Sequence, residues 1–146
     1  MNLSNFLPPS TTEYKGSQIS FYFLVLIAIV STVRSLIHIL AMDGGANSIA
    51  GLAINNVGGK NLIAIFAQWG ASQLILALFY WLAIFRYRFL VPVMLAVVFI
   101  EQVLRIAVGH IKPIEVSSMP PGAIGSYIIL PLSLIALILS LKQRVK

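Results

Sequence analysis

The sequence predicts an all-α polytopic membrane protein, a four-transmembrane-helix bundle with both termini cytoplasmic. Its 146 residues are 59% hydrophobic and 10% charged, against roughly 25% charged in an average soluble domain. Four stretches reach the roughly 20 apolar residues that a spanning helix needs, and the basic residues collect on one side of them, as they do on cytoplasmic faces. There is no cysteine, which excludes disulfides, thiolate metal sites and iron–sulfur ligation together. The net charge of +6 would suit nucleic acid only on a soluble face. Almost none remains once the spans are removed, so anionic membrane lipids are the expected partner and nucleic acid is not.

Residues 1–17 read as a polar N-terminal tail, and the transmembrane domain covers 18–142. The first span is expected from Gln18 to Met42; its apolar run is longer than that of a secretory signal and no small-x-small cleavage pattern follows, so it is expected to stay in the mature protein. The loop DGGANSIAGLAINNVGGKN comes next. Asp43 and two glycines end the helix, and the amides of Gly44 and Gly45 form either an anion nest or a plain turn. ANSIAGLAI is apolar enough for a short helix or a re-entrant segment on the outer face.

The second span is expected from Leu62 to Phe85 and the third from Tyr87 to His110, joined by the tight RYR turn. Pro92 lies in the first turns of the third span, where a missing N–H costs little. HIKPIEVSSMPPGAIG carries three prolines and reads as a stiff second loop. The fourth span is expected from Ala123 to Leu141, bent at Pro131, before a basic tail, 142–146. Ser126, Ser133 and Ser140 recur every seven residues, making one small face that is either a polar path or a helix-packing seam.

Lys15, Arg86, Arg88, Lys142, Arg144 and Lys146 fall on the side shared by the termini and the RYR turn, whereas the opposite loops hold Lys60 and Lys112. This asymmetry sets both termini as cytoplasmic, with Phe79, Tyr80, Trp81, Phe85, Tyr87 and Phe89 as an aromatic belt at that face.

The spans also contain ionisable residues, each costing about 2.5–3.5 kcal/mol on insertion scales and therefore partnered or functional by default. Ser31, Arg34, Ser35 and His38 follow the i, i+3, i+4, i+7 spacing of one helical stripe. Glu101 and Arg105 are four apart on the third span, beside Gln102. At 1.5 Å of rise per residue, Arg34 and Glu101 lie about 12–13 Å below the outer face, Gln68 about 9–10 Å, and His38 and Arg105 about 6–7 Å. The expectation is a layer in the outer half of the bilayer in which Arg34 pairs with Glu101, Gln68 and His38 complete the hydrogen bonding, and Arg105 reaches Glu101 or Asp43. With histidine neutral, the charges of Arg34, Arg105, Glu101 and Asp43 then sum to zero, as an enclosed set should. Two readings follow. The layer binds a lipid-like or small anionic ligand through its two arginines, or it only fixes helix register in an accessory subunit of a larger membrane complex. The outward apolar faces also leave self-association open. No catalytic nucleophile, metal-ligand set or cofactor pattern is expected: His38, Asp43 and His110 are too few for a metal, and Glu101 with His38 makes at most an acid–base pair without a partner nucleophile.

With RSLIHILAMDGGANSIAG followed by AQWGASQLILALFYWLAIFRYR, the chain resembles the small bacterial four-helix membrane proteins of the DoxX-like group, through its four-span layout and its Arg-x-x-x-His and Asp-Gly-Gly elements. The resemblance implies a multi-pass protein of the bacterial inner membrane. Some members are membrane subunits of quinone-linked redox enzymes, but no residue here carries a quinone site or redox chemistry over.

Overall fold

The computed structural model describes residues 7, 9, 10, 13–116 and 119–142. All regular structure among them is helical: α1 (Gln18–Leu40), α2 (Gly59–Phe85), a 3-10 turn (Arg88–Leu90), α3 (Val91–Ile111) and α4 (Pro121–Leu141). Each of the four helices is long and apolar enough to cross a membrane. The run alternates up and down, so one end of the bundle holds the two chain termini and the Phe85–Val91 turn, and the other holds the two long loops. We call these the terminal end and the loop end. Most of the N-terminal tail, and Arg144 and Lys146 of the basic tail, lie outside the described residues.

The helix ends depart from the expected spans for local reasons. Ser17 opens α1 by accepting a hydrogen bond from the Ile19 amide, an N-cap of the usual kind. The helix stops at Leu40, two residues early, because Ala41 is already extended (φ −68°, ψ 142°). α2 starts three residues early, at Gly59, where any Cβ would run into the Ile54 carbonyl. α4 also starts early, because Pro120 is extended and Pro121 takes the first helical position, the one place where a proline's fixed φ and absent N–H suit a helix. The helix then continues through Pro131.

α1 packs most closely on α2 and α3 on α4, with α1 against α4 the next closest pair. The Ser20 hydroxyl ties α1 to α4 by donating to the Ala136 carbonyl at 2.7 Å. Trp81 ties α2 to α1 by donating from Nε1 to Thr32 Oγ1 at 3.0 Å. Ser126, Ser133 and Ser140 are all buried, and each donates back to its own helix, to Gly122, Leu130 and Leu137. Their stripe is therefore a packing seam and not a polar path.

The apolar core lies toward the terminal end. It comprises Leu24, Ile27 and Ala28 of α1, Tyr80 and Ile84 of α2, Val91, Leu95 and Val98 of α3, and Ala136 of α4. The aromatic group expected as a belt divides accordingly: Phe79, Phe85 and Phe89 face outward, but Tyr80 and Tyr87 are buried. Toward the loop end α3 has no buried residue beyond Gln102, and Gly109, Gly122 and Gly125 face open space. α1 and α2, by contrast, stay close there. A Cβ at Gly70 would stand 2.7 Å from His38 Cβ and 3.0 Å from the Ser35 carbonyl oxygen, so only glycine allows this approach.

Gly70→Ala should therefore lower stability by about 1–3 kcal/mol, read as thermal unfolding in detergent. Gly125→Ala, which meets nothing, should leave it unchanged or slightly raised. Equal effects at the two sites would show that the α1–α2 approach is not tight.

Candidate functional site

The core ends in a polar cluster built from three helices. α1 supplies Arg34, α2 supplies Trp69, Gln73 and Tyr80, and α3 supplies Glu101 and Arg105. Arg105 donates from Nε to Glu101 Oε1 at 2.9 Å, the geometry expected of residues one turn apart on a helix. Arg34 Nη2 lies 3.8 Å from the same oxygen and donates to Gln73 Oε1 at 2.8 Å. One carboxylate oxygen is thus shared by two guanidinium groups that also repel each other. Both lie over the Trp69 indole, Arg105 at 4.8 Å and Arg34 at 5.4 Å from its ring centre, within range of cation–π attraction. Side-chain exposure is 29% for Arg34, 18% for Arg105 and 16% for Glu101, so the three charges are largely withdrawn from the surface.

The Arg34–Glu101–Arg105 set expected from the sequence is present, but its neighbours differ. Gln68 is exposed and Gln73 takes its place. Gln73 lies five residues along α2 from Gln68, and position along the axis ignores which way a side chain points. The signal was available: Phe66, Gly70, Gln73, Ala77, Tyr80 and Ile84 recur at spacings of three and four, one continuous face, and Gln68 lies off it. Trp69 and Tyr80 were missed for the same reason.

His38 is buried but serves the loop. Its Nδ1 lies 2.7 Å from the Gly44 carbonyl oxygen; a carbonyl only accepts, so Nδ1 carries the proton. The ring packs against Trp69 at 4.9 Å and edge-on to Phe66 at 5.4 Å, joining the loop above to the arginines' platform. His110 lies elsewhere, at the end of α3, with Nε2 3.2 Å from the Tyr127 hydroxyl.

Asp43 does not join the arginines. Its carboxylate accepts from the amides of Ser48 (2.7 Å), Gly45 (2.9 Å) and Asn47 (3.2 Å). Gly44 and Gly45 are left-handed (φ +59° and +74°), the conformation that curls these amides inward. The anion nest is thus engaged by the chain's own side chain, and the Gly44 amide donates to the Ala41 carbonyl. The stretch ANSIAGLAI makes a wound turn and not a regular helix, ended by left-handed Gly51 (φ +69°) and the bond from the Leu52 amide to the Ala46 carbonyl.

Removing Asp43 from the count changes the balance of the cluster. Two arginines and one glutamate leave one uncompensated positive charge. The buried polar atoms without a protein partner agree with it: Arg34 Nε and Arg105 Nη2, with the Ser35 hydroxyl nearby on α1. The buried Tyr80 hydroxyl faces the Glu101 carboxylate, between the two arginines. Among the described residues, no three His, Asp or Glu side chains gather as a metal-binding group. No family model matches this chain, and neither a curated protein nor a solved structure matches it.

The Ser48 amide first, and then that of Gly45, hold the Asp43 carboxyl down to about 2. A folded value below the unfolded one stabilises fully above about pH 4, and the contribution is lost as pH falls through about 2. Asp43→Ala should accordingly speed amide hydrogen exchange over residues 43–52 at neutral pH while leaving the middle of α1 and α2 protected. Unchanged loop protection in that variant would show that the carboxylate does not hold the turn.

Proposed function

We propose that this is a multi-pass protein of a bacterial inner membrane, with both termini cytoplasmic, whose Arg34–Glu101–Arg105 cluster lies in the outer half of the bilayer and binds an anionic group. The ligand is lipid-like or small. The observation that carries this reading is the excess of donors over acceptors: one carboxylate serves two guanidinium groups and faces the Tyr80 hydroxyl as well, and Arg34 Nε on α1 and Arg105 Nη2 on α3 have no acceptor in the protein. A buried donor left without an acceptor costs about 1–3 kcal/mol, and an unbalanced charge costs more. An anion offsets both. Its source is the outer leaflet or the outer solution, since the packed apolar core closes the bundle toward the terminal end.

With this goes the likeness to DoxX-like proteins. The two elements that carry it work as one unit here, since His38 holds the Gly44 carbonyl and Asp43 folds the turn above. The competing reading makes the chain an accessory subunit whose charges set register only. The Arg34–Gln73 bond favours it, because that bond joins two helices at one level.

Anion binding separates the readings. Protein in dodecyl maltoside micelles, which present no anion, should melt at a higher temperature as octyl sulfate is added. Arg34→Met and Arg105→Met should each weaken the apparent affinity about tenfold or more, the cost of a hydrogen bond to a charged group. Tyr80→Phe is the sharper variant. Its hydroxyl faces the Glu101 carboxylate, so stability should fall by no more than about 1 kcal/mol, while octyl sulfate binding falls several-fold. If octyl sulfate shifts neither wild-type protein nor any variant, and Arg34→Met with Glu101→Gln together restores the stability that each alone removes, the cluster is a register device.

A further inference from the structure

Resting on the anion-binding reading, we infer that Glu101 sets the valence of the ligand: the cluster takes a monoanion, and it is the single carboxylate that excludes a dianion. The argument is a count of charge within a boundary that the geometry defines. Inside it are Arg34, Arg105 and Glu101, joined through Glu101 Oε1. Gln73, Gln102, Trp69 and Tyr80 surround them and are neutral. Among the described residues, the other ionisable group beside the cluster is His38, whose Nδ1 faces the Gly44 carbonyl and whose ring faces Trp69. Asp43 is tied into its own turn by three amides. Lys60, Lys112 and Glu115 are exposed at the loop end, where water screens them. The enclosed sum is +1.

In an apolar surround the favoured occupant brings that sum to zero. A monoanion does so and meets the Arg34 Nε and Arg105 Nη2 donors without displacing Glu101. A dianion with the same oxygens leaves −1 behind and sets a second negative charge beside the Glu101 carboxylate, a juxtaposition that suppresses wrong partners strongly. The head chemistry selected is therefore a singly charged acceptor-only oxyanion: a phosphodiester, a sulfate ester or a carboxylate. A phosphomonoester, which carries nearly two charges above pH 7, is excluded.

Octyl sulfate and octyl phosphate test this directly, because they share a tail and a tetrahedral head and differ by one charge at pH 8. Wild-type protein in dodecyl maltoside micelles, which present no anion, should bind octyl sulfate at least about tenfold more tightly than octyl phosphate. Glu101→Gln raises the enclosed sum to +2 and should reverse the order. Arg105→Gln lowers it to zero and should weaken both. The double variant Glu101→Gln with Arg105→Gln returns to +1 and should prefer sulfate again, although it is the most altered of the three. Methyl sulfate tells the sources apart: binding equal to that of octyl sulfate marks a free anion, and binding only with the tail marks a lipid headgroup, either obeying the same charge rule. If wild-type protein binds octyl sulfate but Glu101→Gln keeps the wild-type order, or the double variant prefers phosphate, the valence rule is overturned while anion binding stands. If wild-type protein binds neither ester, the anion-binding reading itself has failed. Should Glu101→Gln not fold, the Arg105→Gln and double variants decide: a double variant that prefers sulfate supports the rule, and one that does not overturns it.

Discussion

One carboxylate oxygen held between two arginines is the interaction on which the rest of this bundle depends. Burying three charges among apolar helices is costly, and mutual attraction repays the cost only when every remaining proton and lone pair is placed. Glu101 Oε1 brings Arg105 in at 2.9 Å and Arg34 to 3.8 Å. The asymmetry follows from topology. Arg105 shares a helix with Glu101 and needs no tertiary fold to reach it, whereas Arg34 arrives only if α1 and α3 stand at matching level across the bundle. The i, i+4 pair is thus the fixed half of the site, and Arg34 is the half that reports assembly.

Assembly is arranged around bringing Arg34 in. Gly70 lets α1 and α2 approach at Ser35 and His38, which places Trp69 where both guanidinium groups meet its face and Gln73 where it accepts from Arg34. The loop is part of the same construction. His38 fastens the Gly44 carbonyl from below and Asp43 gathers the amides above, so the end of α1 is held over the cluster without lending it a negative charge. Had Asp43 faced inward, the cluster would be neutral and would have no reason to recruit an anion.

Which of these parts could be read from the sequence follows from how local each one is. Four apolar runs fixed the helices to within a few residues at each end, and the errors fell where a single backbone choice decides: the extended Ala41, the Gly59 that must lack a Cβ, and the Pro120-Pro121 start. Arg34, Glu101 and Arg105 were legible because a charge in an apolar run needs a partner. Gln68 was chosen over Gln73 because depth is one coordinate and a helix has two; the stripe from Phe66 to Ile84 carried the second. Tyr80 was read as an interfacial aromatic from its neighbours, although that stripe turns it inward. Asp43 was paired with an arginine by charge balance, but three amides within five residues of chain cost far less ordering entropy than a distant cation, so the local partner won.

The position of the cluster along the bundle makes a last point about mechanism. Below it, toward the terminal end, the four helices share one apolar core. Above it, α1 and α2 stay in tight contact, whereas α3 and α4 meet through His110 and Tyr127 and carry glycines that face open space. A charge cluster that served register alone would gain most in the middle of the packed region, where misalignment costs most contacts. This one lies at the edge, where packing gives way and Arg34 keeps 29% of its side chain exposed. A group that must be reached by a ligand while its charge is compensated from within belongs at that boundary; on the proposed reading, one glutamate there would decide how much negative charge the incoming partner carries.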